Sequence, residues 1–533
     1  MKHLIVFFSK LCLITAFVLL LLTPRQSAFA ACAKSWNNSA GGSWSDGTKW
    51  TPNGAPGVSD DVCISLDGTY TVTLSGDTTI NSLTVGGGSG TQTLSLQASL
   101  TASHGIANAG TIRFDNNSTL TVSSGSTLTN SAPGVINVNF VTAVINADLI
   151  NNGTISIHGV ATLSRTGGVY TNNGTLTVVG SSHLTMSGSS QTFNQNGGTL
   201  TVDDWGTFDI SNATFAVGGG TITTGAGTGL GLSSAALNFG TGATGSGTIH
   251  VNGTSTLSGA VPSGFTVVIG NTSTSSLTAA SGFTNSGTIL LTSGGCSNDA
   301  TLAVTSGTLV NAGALNVDIC GTATLAANLT NNGTMSIHGV ATVSQTNGVH
   351  TNNGDITVAS SSHLYIAGLN QTFSSPGTFS GNGTLHINNG ASYSGTGAIS
   401  TYVVNHGQMG VGGASTGILN ITNTDGSAYT QGADGTLNVR IGGHTPGTGF
   451  DQLHIAGGAS LDGTLNVSTI GGFSPNLGDS FQIASCHNCN GNFATVNGAV
   501  LSACSQFAVQ YANTSVTLVT ESRPCAFLPF IGK

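Results

Sequence analysis

Residues 151–193 read NNGTISIHGVATLSRTGGVYTNNGTLTVVGSSHLTMSGSSQTF, and residues 331–373 read NNGTMSIHGVATVSQTNGVHTNNGDITVASSSHLYIAGLNQTF. Roughly two thirds of the positions are identical at an offset of about 180 residues, so the chain contains a large internal duplication. The likeness extends upstream, where GIANAGTI at residues 105–112 parallels GFTNSGTI at residues 282–289. Inside each copy a shorter phrase recurs, Asn-x-Gly-Thr-aliphatic-x-aliphatic, with its glycine at Gly110, Gly153, Gly174, Gly198, Gly220 and Gly247, and again at Gly287, Gly333, Gly354 and Gly383. Most intervals are roughly twenty to twenty-nine residues.

That period has a physical meaning. The aliphatic residues alternate with Thr, Ser or Asn, as in Thr175-Leu176-Thr177-Val178, so each phrase reads as a short strand with one buried face. The Asn and Gly before it read as a tight turn with φ > 0. One such strand cannot cover its apolar face alone. Stacked coils of two or three short strands cover it and pair each backbone group with the coils above and below. The expected fold is all-β, a parallel β-helix solenoid, right-handed by the preference of parallel crossovers. A β-sandwich array would need a repeat several-fold longer, with alternating long strands.

Composition agrees. Of 533 residues, 5% are charged, against about 25% in ordinary soluble domains. Gly numbers 79, the formal net charge is -9, Glu521 is the only glutamate, and no lysine or arginine lies between Arg165 and Arg440. Phosphate binding needs clustered cations, so nucleic acid is excluded as a partner. Equivalent side chains of successive coils lie about 4.8 Å apart, where like charges repel but Asn and Thr form hydrogen-bonded ladders.

The chain divides into four regions. Residues 1–30 read as a secretory signal peptide, with Lys2 and Lys10 at the start, an apolar run over residues 11–22, and a small-x-small signature at Ala28-Phe29-Ala30, with cleavage after Ala30. An uncleaved anchor and a lipoprotein acylated at Cys32 are the alternatives. Residues 31–80 are the expected N-terminal cap and first coils, 81–400 the β-helix with its duplication, and 401–533 a C-terminal β cap region. No segment after residue 30 has the length and hydropathy of a membrane span. The mature chain is expected to be secreted or displayed at the cell surface.

Eight cysteines remain after the leader: Cys32, Cys63, Cys296, Cys320, Cys486, Cys489, Cys504 and Cys525. An even number in an exported chain reads as disulfides. Cys32 with Cys63 would staple the cap. Cys296 and Cys320 are about one coil apart and should stack within disulfide range. The last four leave three connectivities open. Cys486-His487-Asn488-Cys489 also matches a redox or zinc half-site, but without a βαβ context or a second ligand pair a loop disulfide is the better reading.

Three of the four tryptophans fall in WNNSAGGSWSDGTKW at residues 36–50, followed by Pro52, Pro56-Gly57 and Asp60-Asp61-Val62-Cys63-Ile64. This opening resembles that of bacterial secreted and surface β-helix proteins and, more loosely, the start of G8 domains. Near the other end, GTLNVRIG at residues 435–442, DQLHI at residues 451–455 and LDGTLNV at residues 461–467 resemble the closing region of autotransporter-passenger-like surface proteins. Together these resemblances cover about 150 residues. They imply the architecture and a cell-surface setting, and little about activity.

The rival function is polysaccharide degradation, since many β-helices are lyases or hydrolases. Lyases need cations to neutralise a uronate and a base to take its proton, and hydrolases need paired carboxylates. The tempting pair is Asp203-Asp204, beside Trp205 and Asp209, but adjacent strand residues face opposite ways. The second copy lacks the pair. His158 and His338, and His183 and His363, recur at matching positions too far apart to share a metal, and read as ladder or turn histidines. The sequence therefore implies a non-enzymatic structural or adhesive surface protein with no cofactor, catalytic or metal residues. Its polar faces would meet extracellular glycans or cell-envelope components. A line of exposed aromatics would favour glycans, and Tyr170, Trp205 and Tyr365 are too few to decide between an adhesin and a passive scaffold.

Overall fold

The computed structural model describes residues 32–225 and 229–524. The expected signal peptide and Cys525 lie outside the described residues. The chain forms a β-solenoid of about 17 parallel coils. Each coil of the first copy carries three strands, for example Thr154–Ile157, Val160–Leu163 and Val169–Asn172, and each strand pairs in parallel with its counterparts one coil away. Ile112, Ile136, Ile155, Leu176 and Leu200 occupy one position in successive coils. Their side chains form an inward column, and the threonines between them point out. One continuous apolar core runs from Trp36 to Leu518. At about 4.8 Å per coil the stack extends roughly 80 Å.

The glycines of the phrase serve two ends, and Gly198, Gly220 and Gly247 have the positive φ expected of a turn residue. Gly153, Gly174, Gly333 and Gly354 are not in the left-handed region. They stack on one another at a corner so tight that a Cβ on Gly174 would lie 2.2 Å from the Gly153 carbonyl oxygen. Close approach, and not backbone conformation, requires glycine there. In the phrases at Gly110, Gly153, Gly174, Gly287, Gly333 and Gly354 the Asn two residues before the glycine ends the preceding strand and is buried. Asn108, Asn130, Asn151, Asn172 and Gln195 form an internal ladder in which each Nδ2 donates to the next side-chain oxygen at 2.7–2.9 Å. Each Nδ2 also donates to a strand carbonyl of the next coil, such as that of Thr175 for Asn151. Asn285, Asn311, Asn331 and Asn352 repeat the device in the second copy. The second Asn stacks outside, with Asn173 Nδ2 donating to Asn152 Oδ1 and Asn353 Nδ2 to Asn332 Oδ1, both at 2.8 Å.

The ladder is directional, so its first members, Asn108 and Asn285, have buried Oδ1 atoms that accept no protein hydrogen bond. Inner members are satisfied on both sides. Replacing Asn331 by leucine would leave Asn352 Oδ1 without its donor, take one donor from the Asp355 carbonyl and leave Asn311 Nδ2 with the Thr334 carbonyl as its one acceptor. The expected loss is about 3 kcal/mol, read as a lower denaturation midpoint and faster amide exchange in the two flanking coils. An unchanged midpoint would mean that the ladder is dispensable.

The ends are closed by different devices. At the N-terminus the Trp50 ring meets those of Trp36 and Trp44 edge-on, each at 5.0 Å, over the first coil. The strand Lys34–Trp36 pairs antiparallel with Trp50–Thr51 and parallel with Asp61–Ile64. At the other end the parallel stack continues past residue 400 without a break, through Thr464–Thr469 on Thr495–Asn497. The antiparallel hairpin Ser505–Ala512 and Ser515–Ser522 then closes it by pairing with Ser480–Ser485. Phe507, Val516 and Leu518 cover the apolar core. Most of the region 401–533 is thus more solenoid, because inward-facing alternation persists after the Asn-x-Gly-Thr phrase fades.

Cys32 bonds to Cys63, and Cys296 to Cys320 across one coil with a Cα separation of 4.5 Å. Cys486 bonds to Cys489, which resolves the C-terminal ambiguity in favour of the loop disulfide. Cys504 is disulfide-bonded as well. Among the described residues no helix is long and apolar enough to cross a membrane.

Candidate ligand-binding surface

The solenoid displays its outward residues in rows one coil apart, so a surface is read along columns. One column lies two residues before the register series Thr142, Val160, His183 and Thr207. Counted back from those strands, Phe140, His158, Ser181 and Trp205 fall at one corner of successive coils. Phe140 is 81% exposed and Trp205 71% exposed, unusual for such side chains, and both take left-handed φ values of 56° and 65°. A non-glycine residue at such a φ is strained, and strain of this kind concentrates at functional sites. The His158 ring lies 5.7 Å from that of Phe140 and its Nε2 is 2.9 Å from Ser156 Oγ. Val160, partly exposed, extends the apolar patch. Phe140 and Trp205 are three coils apart, about 14 Å.

Asp203-Asp204 leads into this column. The pair is not on a strand, as the sequence reading assumed, because the strand Thr199–Val202 ends before it and Trp205 turns the chain. Asp203 is half-buried and Asp204 exposed, so the pair belongs to the same tight corner as the tryptophan.

A second feature is a polar groove of about 700 Å³ in the second copy. Ser361, Asn382, Thr384, Tyr402, Asn423 and Asp425 line it at successive corners. The Tyr402 hydroxyl donates to Asp425 Oδ2, and that hydrogen bond, with partial burial and the carboxylate charge, pushes the phenol pKa up. The groove presents hydroxyl, amide and one carboxylate group, and no cation.

Of the three aromatics weighed from the sequence, Trp205 is the exposed one. Tyr170 is buried, and its hydroxyl accepts from the backbone N–H of Arg165 and from Gln191 Nε2. Tyr365 is half-buried with the His386 ring stacked on it at 4.3 Å. Phe140 was missed, since only the register places it in the Trp205 column.

The repeated histidines lie at equivalent outward positions. His183 Nδ1 is 2.9 Å from Thr207 Oγ1 in the next coil. His363 instead meets His386, with Nδ1 and Nε2 3.1 Å apart. Burial, then the neighbouring His363 and His406, lower the His386 pKa to about 4, so its ring is neutral at physiological pH. His338 sits beside Asp318 in the register. Among the described residues no group of three or more His, Cys, Asp or Glu side chains converges as a metal site. Comparison with known protein families and with curated proteins finds no match to this chain.

Proposed function

We propose that the protein is an exported structural or adhesive surface protein whose β-solenoid presents polar faces to glycans of a cell surface or envelope, and that it is not an enzyme. The observation that carries this reading is the Phe140–Trp205 column, in which exposed aromatic rings stand at strained corners of an otherwise hydroxyl- and amide-rich surface. Sugar rings stack on aromatic faces, and Ser, Thr and Asn side chains match their hydroxyls. Near-absence of charge favours neutral glycans over uronates or phosphates. The disulfides Cys32–Cys63, Cys296–Cys320 and Cys486–Cys489 fit an oxidising compartment outside the cytosol. The tryptophan-rich opening and the closing segments, which resemble secreted and autotransporter-passenger-like surface β-helix proteins, support the same setting.

Trp36, Trp44 and Trp50 are buried and Trp205 exposed, so acrylamide quenching of tryptophan fluorescence reports on the column. A glycan-array screen of the purified chain should find ligands that protect Trp205 from quenching. The Phe140→Ala/Trp205→Ala double variant should bind them at least about ten-fold more weakly, a loss of about 1.4 kcal/mol. No binding to any glycan, or equal binding by the double variant, would overturn the reading. Depolymerisation of pectin, alginate or hyaluronan that is lost in an Asp203→Asn/Asp204→Asn variant would replace it with the polysaccharide-degrading alternative.

A further inference from the structure

The strands His363–Ile366 and Thr384–Ile387 are neighbours in successive coils, with Tyr365 opposite His386 and His363 opposite Thr384. His363 and His386 therefore meet on the diagonal of one outward face, where both are partly accessible. The His386 ring is held by its stack on Tyr365, with 12° between the planes. His363 Nδ1 and His386 Nε2 lie 3.1 Å apart.

The geometry points to a chelating site at which His363 Nδ1 and His386 Nε2 together bind one divalent transition-metal ion of the zinc, nickel or copper class. An ion at the usual metal–imidazole distance of about 2.0–2.1 Å from both atoms would subtend an angle of about 100° at the metal, between the right angle of square-planar and the wider angle of tetrahedral coordination. Each neutral imidazole carries a single N–H that moves between its two nitrogens. With His363 protonated at Nε2 and His386 at Nδ1, both facing nitrogens present lone pairs and no net proton is lost. The metal takes the place of the hydrogen bond. Water completes the coordination shell, since no third His, Cys, Asp or Glu among the described residues joins the pair. His406, the other histidine near this face, is engaged with Asp434 at 2.6 Å.

The duplication supplies an internal control. In the first copy the positions of His363, Tyr365 and His386 are held by His183, Thr185 and Asp209. His183 meets the Thr207 hydroxyl there and has no second imidazole. The sequence reading paired His363 with His183, its distant duplicate. Its partner is the histidine one coil further on, at the solenoid's own period.

The test uses the full mature chain without an affinity tag, stripped with chelator and titrated with Cu(II). Calorimetry gives the stoichiometry and electron paramagnetic resonance the number of coordinating nitrogens. The expected result is saturable binding that includes one site with two nitrogen ligands, and a rise in Tm on adding metal. His363→Ala should weaken that site at least about ten-fold, as should His386→Phe, which keeps a ring to stack on Tyr365. His183→Ala should leave it intact. Absence of a two-nitrogen signal, or the same signal and affinity in both variants of the pair, would overturn the proposal. Circular dichroism of each variant confirms that the solenoid has formed.

Discussion

Replacing Asp451 by alanine is expected to cost about 3–5 kcal/mol, the loss typical of a buried ion pair stripped of one partner. Asp451 is fully buried. Its Oδ2 accepts from Arg440 Nε at 2.7 Å and from the Arg440 backbone N–H at 3.0 Å, while Oδ1 accepts from Arg440 Nη2 at 3.1 Å and the Gly417 N–H at 2.9 Å. Arg440 also donates to the carbonyls of Val411, Gly413 and Ser415. The pair thus ties an inserted loop to two coils, and its removal leaves a mostly buried guanidinium and two backbone donors without an anion. Contacts in a solenoid reach only adjacent coils, so the loss should appear as fast amide exchange in Gln408–Val411, Ile418–Ile421 and Thr436–Ile441, together with a lower denaturation midpoint. Native-like exchange in these three strands would show that the pair contributes nothing net. An Arg440→Met/Asp451→Leu variant should recover much of the loss, because it removes the stranded charge.

A single added methyl at Gly174 should also destabilise strongly, by about 3 kcal/mol, at the upper end of overpacking costs. The Cβ would lie 2.2 Å from the Gly153 oxygen and 2.8 Å from the Asn152 carbonyl carbon, and both obstacles are backbone. Relief requires the coils to move apart, which stretches the hydrogen bond from the Thr175 N–H to the Gly153 carbonyl, now 2.8 Å. Gly197→Ala is the control. Its Cβ meets nothing within 4 Å and its φ lies outside the left-handed region, so its effect should stay within about 0.5 kcal/mol. Equal denaturation midpoints for the two variants would mean that the glycine column is not a packing constraint.

These two sites differ in how far they could be read from sequence. The glycine of the phrase is conspicuous in the sequence, and the positive φ expected of it holds at Gly198, Gly220 and Gly247 but not at Gly174. A turn with φ > 0 is a local inference, whereas the crowding that excludes a side chain exists only once coils are stacked. The pairing of Arg440 with Asp451 was invisible because buried ion pairs depend on which loop folds over which strand. The ladder lies between these cases. Stacked asparagines were expected from the repeat, but that the first of each Asn pair faces inward and the second outward follows from where the strand ends.

The same division holds for the candidate sites. Trp205 drew notice as a rare residue, and Phe140 did not, because the fact that joins them is a register three coils long. His386 was passed over although it stands 23 residues from His363, near the period the phrase already announced. By itself the sequence determined the parallel β-solenoid, the two disulfides Cys32–Cys63 and Cys296–Cys320, and the tryptophan cap, because inward alternation and a fixed period are local patterns that repeat until they are unambiguous. Only the tertiary structure decided which outward side chains meet, where the solenoid gives way to its closing hairpin, and which polar groups are buried in pairs. Each of those depends on the exact number of residues in every coil, and insertions of one or two residues at the corners change that number without disturbing the pattern that reveals the fold.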